Sequence, residues 1–251
     1  MSLAVGAFIV VMSFLTAALS GVFGMAGGLV LKGCLALVLP VSATFVAHGI
    51  LQLTANAWRA ILHRRHVRWR IVALFAGGSF LIAGLVANIP WEPTRATLYL
   101  LMGLSPFLVW MPASWTQLDA EKPVQAVVCG VATTGVNLTA GVAGTLLDIF
   151  FVRTSLTRHA IVATKAATQV FSHLMKIIVY AAPLWAGGAG AKGMPPAWVF
   201  ALAVPLAMAG TVAGGYVLYR LSDVNFKRYL RLIVTVIGVA YMVQAVRLYL
   251  G

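Results

Sequence analysis

Acidic side chains are almost missing from this sequence. Glu92, Asp119, Glu121, Asp148 and Asp223 are the only five among 251 residues, against 18 lysines and arginines. A site that cages a cation needs several carboxylates or carbonyls close together, and only Asp148 lies deep in an apolar run, so a metal centre or cation carrier is not expected. Charge of either sign is scarce, at 9% of residues where soluble domains carry about a quarter. With 61% hydrophobic residues and a mean hydropathy of +0.96, the composition is that of an integral membrane protein. The alternating pattern of barrel strands is absent, which leaves a polytopic all-α membrane protein in contact with the lipid bilayer.

Other absences narrow the function. Cysteine occurs twice, as Cys34 and Cys129, in apolar surroundings and without CxxC or Cys/His ligand spacing, so both read as packing residues. HExxH, GxSxG and P-loop motifs are missing, and the chain reads as a non-enzyme with no cofactor. The net charge of +13 is not tied to any RNA- or DNA-binding motif, and no nucleic-acid partner is expected. The first residues lack a basic region followed by a small-residue cleavage site, so the start of the chain is expected to stay in the membrane.

What is present is a series of apolar segments at about 3–40, 41–62, 71–89, 95–112, 124–151, 159–184, 196–219 and 229–250. The stretch PASWTQLDAEKP, Pro112 to Pro123, holds two of the five acids and sits near the midpoint. It divides the chain into a first membrane repeat (1–112), a connecting loop (113–123) and a second membrane repeat (124–251). The polar residues carry the repeat. His48, Gln52, Asn56 and Arg59 in HGILQLTANAWR are matched by Lys165, Gln169, His173 and Lys176 in KAATQVFSHLMK, each pair 117 residues apart. Spacing of i, i+4, i+8 and i+11 puts each set on one helix face. Ser20-Gly21-Val22 also resembles Thr134-Gly135-Val136, and Gly27 falls near Gly141, at a shift of 114 that calls for a small gap.

Basic loops favour the cytoplasm, and three stand out: HRRHVRWR (His63 to Arg70), the stretch from Tyr219 to Arg231 with Arg220, Lys227, Arg228 and Arg231, and Arg153-Arg158-His159. All three fit one side only if residues 124–151 enter and leave on that side. Their length suits two short helices with the turn inside TTGVNLTAGVAG, Thr133 to Gly144. An inverted first repeat would open with a similar hairpin turning at GVFGMAGG, where Gly24, Gly27 and Gly28 lie. The architecture expected is six full crossings and two broken hairpins, with eight plain spans as the alternative. A helix broken inside the bilayer offers free N–H groups and a positive dipole end, an anion site with no charged side chain. The competing reading of such glycines is close helix packing.

Ionisable residues inside the bilayer cost about 2.5–3.5 kcal/mol each on insertion scales, which makes them functional candidates. Those here are Lys32, His48, Asp148, Lys165 and His173, while Arg59 and Lys176 are positioned to reach an interface. Donors outnumber acids on both polar faces, which suits a small oxyanion held by hydrogen bonds and one or two charges. Lys32 and Asp148, just after the two Gly turns, read either as an ion pair between the hairpins or as two side chains that each reach an interface or water. The imidazoles of His48 and His173 make the proton a candidate coupling ion. Haem ligation by these two histidines conflicts with the repeat, which matches His48 to Lys165 and His173 to Asn56. Trp115 and Trp185 fit interfacial anchors.

These features resemble the TauE/SafE family of sulfite-exporter-like permeases. The resemblance rests on GVFGMAGGLVLKG, on Asn56-x2-Arg59 ending in RRHVRW, and on TGVNLTAGVAG before RTSLTRHAIVATKA, and it covers nearly the whole chain. It implies export of sulfite or an organosulfonate across the bacterial inner membrane. The implied site comprises the Gly breaks (Gly24, Gly27, Gly28 and, with Asn137 and Thr139, Gly141) and the faces His48, Gln52, Asn56 and Lys165, Gln169, His173. The second break has fewer glycines than the first, so the two hairpins are not expected to act alike. A passive anion channel and a non-transporting assembly or haem-binding protein are the alternatives.

Overall fold

A computed structural model describes residues 1–89, 92–111, 118–185, 193–218, 220 and 223–251. Ten α-helices account for most of them, with no strand among the described residues: α1 (Leu3–Phe23), α2 (Met25–Val38), α3 (Val41–Leu62), α4 (Trp69–Val86), α5 (Arg95–Leu104), α6 (Pro123–Thr139), α7 (Gly144–Phe151), α8 (Arg158–Trp185), α9 (Ala197–Leu218) and α10 (Asp223–Leu250). The all-helical class read from composition is therefore the class found. Trp115 lies outside the described residues, as do the other positions of 113–117 in the connecting loop, Tyr219, and the side chains of Trp185, Lys227 and Arg228.

Local chemistry sets several helix starts. The Ser2 hydroxyl accepts from the Val5 N–H ahead of α1, and the Thr94 hydroxyl accepts from the Thr97 N–H ahead of α5. Proline, which has no N–H to lose, opens α6 at Pro123. Among the described residues four segments are long and apolar enough to cross a membrane: Leu3–Phe23, Trp69–Val86, Ala197–Val217 and Tyr229–Leu250. Their outward residues are large and apolar, among them Phe80, Leu81 and Leu85 on α4 and Leu232, Val236, Val243 and Val246 on α10. The helices α3 and α8 are as long, at 22 and 28 residues, but the polar rows on their faces lower their hydropathy.

These two polar helices pair antiparallel at the centre. The ring of Phe45 stacks on Tyr180, the Lys176 ammonium donates to His48, the Asn56 amide reaches Gln169, and the Arg68 N–H just past α3 donates to the Thr164 hydroxyl. Around the pair sit two folded-back segments. Between α1 and α2 the chain reverses at Gly24, with φ 66°, and Gly27 comes down against the backbone of Thr16 and Ser20. Between α6 and α7 it reverses near Gly141, with φ 79°. The Ala120 N–H then donates to the Phe150 carbonyl and the Ser155 N–H to Glu121, so this segment leaves beside the point where it began. The α1–α2 segment opens at the start of α3 and the α6–α7 segment at the start of α8, which are opposite ends of the central pair.

The helix contacts repeat as well. α1 runs along α9, while α6 runs along α4. Both interfaces use glycine for close approach: a methyl on Gly21 would press on the Gly214 Cα at 2.8 Å, and one on Gly130 would press on the Phe75 backbone. The positive-φ glycines at the two chain reversals, Gly24 and Gly141, are 117 residues apart, the same offset as the polar rows. This corrects the gapped alignment that placed Gly27 near Gly141. Similar letters around Gly21 and Gly135 fixed that shift, whereas the turn is made by the glycine that takes φ above zero.

Candidate functional site

The two turns and the central pair enclose a cavity of about 80 Å³, room for several waters or one small oxyanion. Gly24 and Gly28 line it from the first hairpin and Val142, Ala143 and Gly144 from the second. The helices contribute His48, Gln52, Asn56 and Arg59 from α3, and Val162, Lys165, Ala166, Gln169 and His173 from α8. Both α2 and α7 start at this cavity, and neither has a side chain capping its N-terminus, so first-turn N–H groups are left for a ligand or water.

Of the residues singled out from sequence, Gly24, Gly28, His48, Gln52, Asn56, Lys165, Gln169 and His173 thus come together, and the others stand elsewhere. Gly27 makes the α1–α2 contact, so the packing reading applies to it and to Gly21. The Thr139 hydroxyl is spent on the Gly135 carbonyl of its own helix. Asn137 and Gly141 stand behind the cavity, in a network organised by Lys176. That lysine is fully buried and donates to His48 Nδ1 at 2.8 Å, Asn137 Oδ1 at 3.1 Å and the Gly141 carbonyl at 3.1 Å. Because His48 Nδ1 accepts, its Nε2–H donates to the Gly28 carbonyl at 2.9 Å. One ammonium therefore ties the second turn directly, and the first hairpin through His48. The Asn137 amide donates to Ser172 Oγ at 2.8 Å and reaches His173 Nδ1 at 3.4 Å, which leaves His173 Nε2–H as its donor to the cavity.

Two charges stand differently from expectation. Asp148 is paired with Lys165, on a partly exposed edge, and not with Lys32. Lys32 lies fully buried with its Nζ 3.2 Å from the centre of the Phe45 ring, against Gly141, and makes no hydrogen bond. Asp148 sits on α7, which runs back to the α8 start, whereas Lys32 sits on the far side of the Gly141 turn. Lys176, read as reaching an interface, is fully buried instead, and Arg59 is half-buried between two cavities. A helix face gives the direction of a side chain but not the depth of its neighbours, so the 117-residue repeat was the one signal that included them. Arg59 donates to Asn56 Oδ1 at a long 3.5 Å, while its Nη2 is buried without a partner.

Arg59 and Val162 also line a second, wider cavity of about 350 Å³ toward the HRRH end, together with His63, Arg158 and His159. His63 is held below the usual histidine range by partial burial first, then by His159, Arg59 and His66.

The arrangement is donor-rich, with one acid on its edge, and it lies among membrane-length helices. Residues 9–241 match the family described as sulfite exporter TauE/SafE. The chain belongs to the sulfite exporter TauE/SafE family. A TauE/SafE protein is a multi-pass membrane protein of a transport family, so this chain's context is lipid and its substrates are small anions. Curated proteins and solved structures give no match. Within this TauE/SafE chain the His48 and His173 rings meet edge to face, 5.7 Å apart, and both His48 nitrogens are engaged, which argues against paired haem ligation. No group of three metal-binding side chains occurs among the described residues.

Proposed function

We propose that the protein exports a small sulfur oxyanion, sulfite or an organosulfonate, across the bacterial inner membrane by alternating access between two inverted repeats, residues 1–112 and 124–251. The observation that carries the reading is the central cavity, where two uncapped helix N-termini and the side chains of Arg59, Lys165, Gln169 and His173 converge and the nearest acid is bound to Lys165. Oxyanions are held by such donors because each lone pair finds an N–H in a water-poor site. The helix starts supply the field, Lys165 and Arg59 the charge, and Gln52, Gln169 and His173 the orientation. Asn56 spends its amide on Gln52 and Gln169 and positions the latter.

Alternating access is supported by an asymmetry between equivalent positions. Lys176 seals its end of the central pair through three hydrogen bonds, whereas Arg59, 117 residues earlier, leaves one nitrogen unpaired beside an open cavity. By the basic loops that open end is cytoplasmic, the side from which an exporter takes its substrate. A proton is the proposed coupling ion, with His173 as the group in contact with both the cavity and the buried network.

The test is transport by the purified protein in proteoliposomes, with sulfite, sulfate, thiosulfate and a small alkylsulfonate offered in turn, with and without an imposed pH gradient. Uptake of one sulfur anion that is lost in Lys165→Ala and Gln169→Ala and driven by the pH gradient is the expected result. Flux indifferent to the gradient would favour a passive channel using the same site, and no flux of any anion would overturn the reading.

A further inference from the structure

The wider cavity is not explained by the central site, and its chemistry points to a ligand. At about 350 Å³ it has several times the volume of the inner one, and Arg59, His63, Arg158 and His159 bring four cationic or titratable side chains to its wall. No acid is among the described residues that line it. The two cavities share Arg59 and Val162, so they meet at the Arg59 guanidinium. That guanidinium is the unfinished part: Nη1 has one long hydrogen bond to Asn56, and Nη2 is buried with none. A planar fork with open donors is matched by the oxygens of a small oxyanion.

Resting on the export reading above, we propose that the wider cavity is a second binding site for the same small oxyanion, and that Arg59 belongs to both sites and passes the anion from the outer to the inner one. A guanidinium can exchange one oxyanion contact for another without leaving a charge bare, since its N–H groups point in several directions. The outer site gathers anion at the basic end of the molecule, where the local potential raises its concentration. His63 and Arg158 stand at the ends of α3 and α8, so the central pair supplies the basic wall of this site, while Gly21 of α1 and Thr211, Val212, Gly215 and Tyr216 of α9 supply the rest.

Equilibrium binding of radiolabelled sulfite to the purified, detergent-solubilised protein tests this. Two anions per chain are expected in the unaltered protein. Lys165→Ala should remove the inner one and leave the outer, and the double variant His63→Gln/His159→Gln should weaken the outer one and leave the inner. Arg59→Gln should weaken both by about ten- to a hundredfold, the loss of charge-assisted hydrogen bonds, and Arg59→Lys should restore part of each. One anion per chain, sensitive to Lys165→Ala alone, would leave the export reading standing and overturn the second site. Two anions with unchanged affinities in Arg59→Gln would overturn the shared role of Arg59. No binding of sulfite, or of a radiolabelled small alkylsulfonate in its place, would overturn the export reading and this inference with it.

Discussion

Lys176 and Arg59 occupy matching places on α8 and α3, yet one is satisfied and the other is not. The lysine holds a carbonyl, an amide oxygen and an imidazole nitrogen at once, closing its hairpin against the central pair. The arginine has the Ser20 hydroxyl as a second unpaired group in its hairpin, at the position 117 residues before Asn137, which Lys176 does bind. The same layout thus exists in a tied and an untied form within one molecule. On the proposed alternating-access reading this difference has a use: a gate is a polar network that can be completed at one end only while it is broken at the other.

The largest expected effect comes from removing the tie. Lys176→Met leaves three buried acceptors without a donor, each costing about 1–3 kcal/mol, so unfolding in detergent should occur with a loss of about 3 kcal/mol or more. Arg59→Met removes a group whose Nη2 has no partner, and thermal unfolding should move little or upward. Equal losses for the two would end the comparison.

The turns come next. Gly24→Ala and Gly141→Ala each force a positive φ on a side-chain-bearing residue, for about 1–3 kcal/mol. The Gly141 substitution should cost more in the same melting assay, because its new methyl meets the buried Lys32 side chain while that at Gly24 meets open space. A smaller effect on stability, with a large one on transport, is expected from Asp148→Asn. The Lys165–Asp148 pair is partly exposed and contributes about 0–1 kcal/mol, but freeing Lys165 changes the charge facing the proposed anion site. Parallel melting and sulfite flux measurements separate the two.

The smallest effect concerns pH. His63 binds a proton less readily in the folded protein than in the unfolded chain, so the unfolded form gains protons first as pH falls. Stability should be level above the ordinary histidine value of 6.5 and decline below it, and His63→Gln should reduce that decline. A rise in melting temperature on acidification that depends on His63 would reverse the sign of this argument.

Much of this molecule was legible in its letters. The deficit of acids and the apolar runs set the membrane class, since burying or exposing so few charges leaves no other solvent for the chain. The 117-residue spacing of two polar rows located the central helix pair, because a helix face has a fixed period. The glycine motif announced breaks without saying which residue made them: Gly21, Gly24, Gly27 and Gly28 look alike in sequence, while Gly24 turns the chain, Gly21 and Gly27 admit a neighbouring backbone, and Gly28 joins Gly24 in lining the inner cavity. Partners were the part that only the tertiary structure decided. Asp148 meets Lys165 and not Lys32, and Lys176 goes to the centre and not to an interface, because the reach of a charged side chain is settled by which helix lies opposite it, and that choice is made by packing across the whole fold.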